Sequence, residues 1–240
     1  MYRITTKSNI KQKMKRLTTK HFLLLIALLI FGCLVASCAS VHTTSTPNFE
    51  NYQSHHQTIA IIPFDISIDN KAYENAFISI SVKSWKEIAQ RKEESFRRSL
   101  FTQLSLAQQA GRYTVEIQDI DETITLLQRA SDTGMIPKNL AVVSKSKICE
   151  ILKVDAIISG SMAVTLLRST WSQIRSRIGL GFGPPDRTDI TVSIHESETE
   201  TLIWNYDLTA RGVLRHNYEG VSKRLKREIG DIARNFPYKN

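Results

Sequence analysis

Val154-Asp155-Ala156-Ile157-Ile158-Ser159-Gly160-Ser161-Met162-Ala163-Val164-Thr165-Leu166-Leu167 alternates with a period of two, which places Ala156, Ile158, Gly160, Met162, Val164 and Leu166 on one face of a strand. Two further alternating runs follow. Asp189 to Glu196 turns Ile190, Val192 and Ile194 inward, and Leu202 to Val213 turns Leu202, Trp204, Tyr206 and Leu208 inward, with Ser197 to Thr201 as a hairpin turn. The stretch leading into Val154 carries Leu140, Val143, Ile148, Ile151 and Leu152 at helical spacing, with a lone thiol, Cys149, among them. Further upstream, Ile59-Ala60-Ile61-Ile62-Pro63-Phe64 is a continuous apolar run of strand length, suited to burial on both faces and ended by Pro63, which cannot donate to a ladder. Residues 67 to 83 show no clear period and read as loop or short irregular structure. Ser84-Trp85-Lys86-Glu87 matches a capping box opening a long helix, whose apolar stripe is Trp85, Ile88, Phe96, Leu100, Leu104 and Ala107 and whose stop is Gly111; its polar side from Lys86 to Arg98 reads as a solvated face. Tyr113 to Gln118 reads as a strand. Asp119 or Asp121 then caps a short helix bearing Ile124, Leu127 and Ala130, and a last helix spans about Glu219 to Phe236 with Val221, Leu225, Ile229, Ile232 and Phe236 inward. The order β-α-β-α-α-β-β-β-α predicts an α/β chain of the α+β type: a mixed sheet with packed helices.

The 240 residues, 42% hydrophobic and 23% charged, fit one such domain plus a short extension and exclude disordered, collagenous and polytopic membrane classes. A formal charge of +9 suggests a nucleic-acid binder until it is located. Residues 1 to 37 hold seven Lys or Arg and no acid, leaving 25 basic residues against 23 acidic in the remainder. The basicity therefore belongs to the N-terminus, and a nucleic-acid partner is not expected. That basic stretch runs into the apolar segment Phe22 to Phe31 and then Leu34-Val35-Ala36-Ser37-Cys38, the charged, apolar and small-residue parts of a signal peptide. The apolar run falls short of the roughly 20 residues a spanning helix needs. Residues 39 to 57 are rich in Ser, Thr, His, Asn and Gln, and read as a flexible tether. Three parts are thus expected: a signal peptide at 1–37, a modified cysteine with its tether at 38–57, and an α/β domain at 58–240. Met14-Lys15-Arg16-Leu17 would give a more compact leader, so translation is expected to start at Met14.

No catalytic constellation emerges. Gly179-Leu180-Gly181-Phe182-Gly183-Pro184 lies between strands, not at a strand-to-helix turn, and Pro184 stands where a dinucleotide loop has its third glycine. His195 falls on the outward face of its strand, and His55-His56 has no cysteine or carboxylate at metal-ligand spacing. Asp155, at a helix-to-strand junction, reads as a capping or turn carboxylate. Neither a metal, a cofactor nor an enzymatic activity is expected. The connection from 169 to 187 is long and interleaves Trp171 and Phe182 with Arg175 and Arg177, a composition suited to interface anchors; the alternative is that it extends its two strands and folds back over the sheet. Lys223, Arg224 and Arg227 form a basic cluster on the last helix, read either as a contact for an acidic partner or as a solvated face.

Val35-Ala36-Ser37-Cys38 resembles the lipobox of bacterial lipoproteins, which implies cleavage between Ser37 and Cys38 and fatty acylation of the Cys38 sulfur. Ala39-Ser40 lacks the acidic residue of inner-membrane retention signals, so the resemblance implies a lipid anchor in the outer membrane, facing the periplasm. The strand Ile59 to Phe64, the run Val154 to Ser161 and the Leu202-Ile203-Trp204 hairpin together resemble a group of envelope lipoprotein domains that includes those of CsgG, LpoB and the N-terminal part of TolB. In that group a glycine usually stands where Thr199 or Glu200 stands here. The resemblance implies a non-catalytic binding or assembly factor with an envelope protein partner. The alternative is an oligomeric, channel-forming secretion lipoprotein, and homo-oligomerisation is left open.

Overall fold

The computed structural model describes residues 41–69, 82–166, 186–211, 213 and 223–240. The chain divides into two units, Met1–Ala39 and Ser40–Asn240, and the description concerns the second. Its elements are β1 (Val41–Ser45), α1 (Phe49–Gln53), β2 (Thr58–Ile61), β3 (Asp65–Asp69), α2 (Val82–Gln109), β4 (Glu116–Ile117), α3 (Ile120–Asp132), a 3-10 turn (Leu140–Val142), α4 (Lys145–Leu152), β5 (Ala156–Leu166), β6 (Asp186–Glu196), β7 (Leu202–Arg211) and α5 (Lys223–Asn235). The seven described strands form one mixed sheet in the order β1-β7-β6-β5-β2-β4, with β3 also on β5. The α+β architecture expected from the sequence is the one observed.

β5 organises the sheet. Its even-numbered residues from Ala156 to Val164 face the main core, where Ala156, Ile158, Met162 and Val164 are buried under α2 and α5. Antiparallel β6 pairs with it over its whole length, from Ala156↔Glu196 to Leu166↔Asp186. On its other edge β2 and β3 lie end to end, both parallel to β5. The break between them at Pro63 lets Phe64 turn its ring over Gly160. A Cβ on Gly160 would stand 2.7 Å from that ring and 2.4 Å from the Thr191 carbonyl, so glycine is needed for this close approach. The Phe64 N–H donates to Glu93 Oε1 at 3.1 Å, and Arg97 Nε donates to the same oxygen at 2.8 Å. The opposite face of β2 and of the start of β5 is covered by α3 and α4, through Ala60, Ile62 and Ile157 against Leu127, Ile148 and Leu152. Burial of β2 on both faces explains why its sequence is a continuous apolar run. Cys149 packs in this second core, where burial pushes its thiol up to about 12.

Several sequence expectations are corrected. Residues 41 to 57 are not a flexible tether: β1 pairs antiparallel with β7, from Val41↔Leu208 to Ser45↔Trp204, leaving Ala39-Ser40 between Cys38 and the first strand. A polar edge strand is held by its backbone ladder, so it shows no apolar period. The domain boundary expected at residue 58 therefore moves to the start of the second unit. Part of the segment read as loop, 67–83, is the end of β3, and α2 begins at Val82, so Ser84 lies inside the helix and is not its cap. The solvated face expected from Lys86 to Arg98 contains the buried Glu93–Arg97 pair. The helix expected from Leu140 is a 3-10 turn followed by α4, whose cap is Ser144. Leu202 is 47% exposed where it was expected inward, beside a register shift at Ile194/His195, whereas Trp204, Tyr206 and Leu208 face the core as expected. The Trp204 ring stacks on Tyr206 and meets Phe236 edge-on, each at 6.0 Å, so its ring partners lie on its own strand and after α5. The side chain of Trp85 lies outside the description.

The N-terminal segment is also tied to the C-terminus. Phe49 packs edge-on against Tyr238 at 5.0 Å, and the ring of His56, 8% exposed, sits beside Tyr238 with Nδ1 and Oη 2.6 Å apart. Burial holds the Tyr238 hydroxyl protonated, so it can donate to a neutral His56. Burial also lowers the His56 pKa, outweighing the attraction of Asp155 and Glu196. A histidine depressed in the fold binds its proton more readily when unfolded, so its contribution is intact above the ordinary 6.5 and is lost as pH falls below that through the folded value. The melting temperature is expected to drop from pH 7.5 to pH 5, and His56→Gln is expected to flatten that part of the profile. An unchanged slope in the variant would remove His56 from the pH response.

Candidate functional site

Where β5, β6 and β7 turn their even-numbered residues to the core, the period of two sends the intervening residues to the other face. On that face the strands carry Ser159 and Ser161, then Asp189, Thr191, Ser193 and His195, then Asn205, Asp207 and Thr209. Cross-strand register aligns them in rows, Ser161↔Thr191↔Asp207 and Ser159↔Ser193↔Asn205. The rows are locked by short hydrogen bonds. Thr191 Oγ1 donates to Asp207 Oδ1 at 2.7 Å, and Asn205 Nδ2 to Asp207 Oδ2 at 2.7 Å. Ser193 Oγ donates to Asn205 Oδ1 at 2.8 Å, and Thr209 Oγ1 to Asp189 Oδ1 at 2.6 Å. Arg187 closes the row through Nε and Nη2, each 3.0 Å from Asp189 Oδ1. Side chains held this way lose little freedom when a partner docks, so the surface is preorganised.

The face is acidic. β3 adds the exposed Asp65 and Asp69, so four carboxylates stand against Arg187 among the described side chains of β3, β5, β6 and β7 on this face. α3 and α4 pack on the β2 and β5 side of this face, and α4 also reaches β6 near the hairpin, with Lys145 beside His195 and the Ser146 N–H on Glu200. At the boundary is a cavity of ≈ 210 Å³, lined by Pro63, Asp65, Lys145, Ser159, Ser161 and His195. His195 is half-buried and kept neutral by that burial; its Nδ1 lies 3.4 Å from the Glu200 carbonyl, and no serine of the cavity bonds to it. Ser54 and His55 do bond, at 3.0 Å, but they are adjacent, exposed residues at the end of α1. Rows held in this way can orient a docking partner.

The hairpin beside the site is built on carboxylates. Burial works against ionisation of Glu196, but the N–H groups of Glu198 and Thr199 and the hydroxyls of Thr199 and Ser197 outweigh it, so the carboxyl stays below its usual range. Glu200 has φ 58°, a left-handed backbone for which glycine is the ordinary choice, and its Oε1 accepts the Ser146 N–H at 3.2 Å near the start of α4. Of the two residues noted in the sequence at the usual glycine position, Glu200 is the one in the glycine conformation. Asp155 Oδ2 accepts the Gln57 and Thr58 N–H groups at 2.7 and 2.9 Å, the turn role expected of it.

The sequence-derived candidates fall elsewhere. Ser37, Cys38, Trp171, Arg175, Arg177 and Phe182 lie outside the described residues. Lys223 and Arg224 are in the first turn of α5, with side chains outside the description, and Arg227 is exposed on the same helix. The polar rows were missed as a site, although their signal was present: between Arg187 and Arg211 at the strand ends, the outward positions of β6 and β7 are Asp, Thr, Ser, His and Asn.

The described residues thus form a mixed α+β sheet with one partly uncovered, hydrogen-bonded polar face. Solved structures similar to the chain include bacterial lipoproteins. A PelC dodecamer from Paraburkholderia phytofirmans is 12% identical, covering 81% of this chain and 94% of that one, with a TM-score of 0.36. Lipoprotein GNA1162 from Neisseria meningitidis is 12% identical over 75% and 96% of the two chains, with a TM-score of 0.35. The LpoB C-terminal domain from Salmonella enterica is 8% identical over 65% and 82%, with a TM-score of 0.32. No protein-family model matches the chain, and no curated protein matches it.

Proposed function

We propose that the protein is a lipid-anchored, non-catalytic lipoprotein of the bacterial envelope, held in the outer membrane through Cys38 and facing the periplasm, where it binds an envelope protein partner. The observation that carries the binding role is the face on which side-chain hydrogen bonds lock rows of Asp, Asn, Ser and Thr across β6 and β7. Carboxylates in such rows favour a basic partner surface and speed its encounter. The anchor rests on Val35-Ala36-Ser37-Cys38 after an apolar segment. Among the described residues no helix is long and apolar enough to cross a membrane.

Cys38→Ser is expected to block acylation, leaving uncleaved precursor or protein lost from the outer-membrane fraction. Normal maturation and normal outer-membrane levels in that variant would refute the anchor. The binding role is tested by crosslinking in intact cells. Asp189→Lys with Asp207→Lys is expected to lose the crosslinked product by tenfold or more, since a reversed charge opposes the docking surface, while the lipid anchor and the outer-membrane level stay normal. A product retained at full yield would place the binding surface elsewhere, and a product containing two copies of this chain would identify the partner as itself.

A further inference from the structure

On the helical side of the sheet, opposite the acidic rows, the last turns of α2 and the body of α5 enclose an open groove of ≈ 710 Å³. Its walls are Leu106 and Ala107 from α2, Ala110 just after it, and Gly230 and Ala233 from α5. Leu106 is 55% exposed there, whereas most large aliphatic side chains among the described residues are buried. Gly230 is a second oddity. Glycine is the poorest helix former after proline, yet a Cβ at this position would meet only Arg234 Nη1, at an ordinary 3.8 Å. Packing within the domain therefore does not require glycine, and the missing side chain keeps the groove open.

The groove ends where Tyr113 bridges to Lys239, and Arg112 and Lys239 stand there exposed, with no side-chain hydrogen bond or ion pair among the described residues. Arg234, by contrast, is paired with Asp231. Both helices end close by, so the two cations also offset the partial negative charge of the helix C-termini. That explains a cation at this point, but neither an exposed leucine nor an open trough beside it. An apolar trough with cations at one end fits a ligand with an apolar tail and an anionic head, and the volume lies within the usual range of small-molecule sites, about 300–1,000 Å³.

We infer that the groove between α2 and α5 binds a single anionic amphiphile, with its acyl chain along Leu106, Gly230 and Ala233 and its phosphate or carboxylate on Arg112 and Lys239. The site is independent of the acidic face and of the anchor. The test uses the mature protein extracted in dodecyl maltoside, which shares the twelve-carbon chain but carries no charge, and counts bound ligand by native mass spectrometry. One dodecyl phosphate per chain is expected to bind against this neutral background, while inorganic phosphate at the same concentration is not retained. Gly230→Leu is expected to melt no lower than the wild type and to bind at least tenfold less. Arg112→Gln with Lys239→Gln is expected to show a similar loss, and it decides the matter if Gly230→Leu melts lower. Didodecanoyl phosphatidylglycerol in a parallel arm tells a bilayer lipid from a free single-chain amphiphile: saturable dodecyl phosphate binding, lost in the variants, supports the site, and binding of the phosphatidylglycerol without dodecyl phosphate overturns it. Equal dodecyl phosphate uptake by wild type and variants would overturn it, as would retention of inorganic phosphate alone. Binding of an acidic amphipathic helical peptide without dodecyl phosphate would make the groove a protein-docking site instead and overturn it too.

Discussion

Trp204→Ala is expected to destabilise the domain by about 3–5 kcal/mol, the usual cost of truncating a buried aromatic. The indole is 2% exposed, stacks on Tyr206 and is met edge-on by Phe236, so its removal leaves a cavity at the junction of β7 and the end of α5. For a domain of this size each kcal/mol moves the melting temperature by about 2–4 °C. A fall on the order of 10 °C should therefore appear in a thermal melt. Leu202→Ala, two residues away but 47% exposed, is the control and should melt within about 2 °C of the wild type. Equal melting temperatures for the two variants would refute the inward register of β7.

A chain beginning at Thr58 is expected to lose at least as much stability relative to one beginning at Ser40. Removing residues 40 to 57 deletes the β1 ladder on β7, the buried Phe49 ring and the His56 contact with Tyr238. Phe49 alone represents a loss of about 3 kcal/mol or more by the cost of deleting a buried phenylalanine. It would also expose the outer edge of β7, and an unpaired edge is a template for association between chains. Thermal melting together with light scattering should show an earlier transition and aggregate on heating. Two chains that melt alike and remain monodisperse would mean that β1 and α1 contribute nothing to the fold.

The central sheet was legible because its strands carry their periods openly. Alternation in β5, β6 and β7 needs only one buried face, and the unbroken apolar run of β2 needs two. The inward positions of Trp204, Tyr206 and Leu208 followed from that spacing, and the turn role of Asp155 from its place at a helix-to-strand junction. Leu202 did not follow, because a register shift at Ile194/His195 cannot be read from a pattern of two. β1 was invisible for a related reason: Val41-His42-Thr43-Thr44-Ser45 joins the sheet through backbone hydrogen bonds to β7, and backbone donors and acceptors are the same in every sequence. Ser84 misled because a capping box is a local pattern, and the helix continues through it to Val82.

For function, the sequence by itself carries the proposed address. A basic stretch, an apolar segment and Ser37-Cys38 read as a linear signal, and such a signal needs no fold to be read. Tertiary structure decided which polar groups gather on one face. Asp189 and Asp207 lie 18 positions apart, yet each is drawn into the same face by the β6–β7 register, and Asp65 reaches it through β3. Arg112 and Lys239, from distant parts of the chain, both line one groove at the bridge between Tyr113 and Lys239. The glycine that keeps their groove open looks in the sequence like a defect in a helix. Only the space around its Cα shows that the fold could have accepted a side chain there.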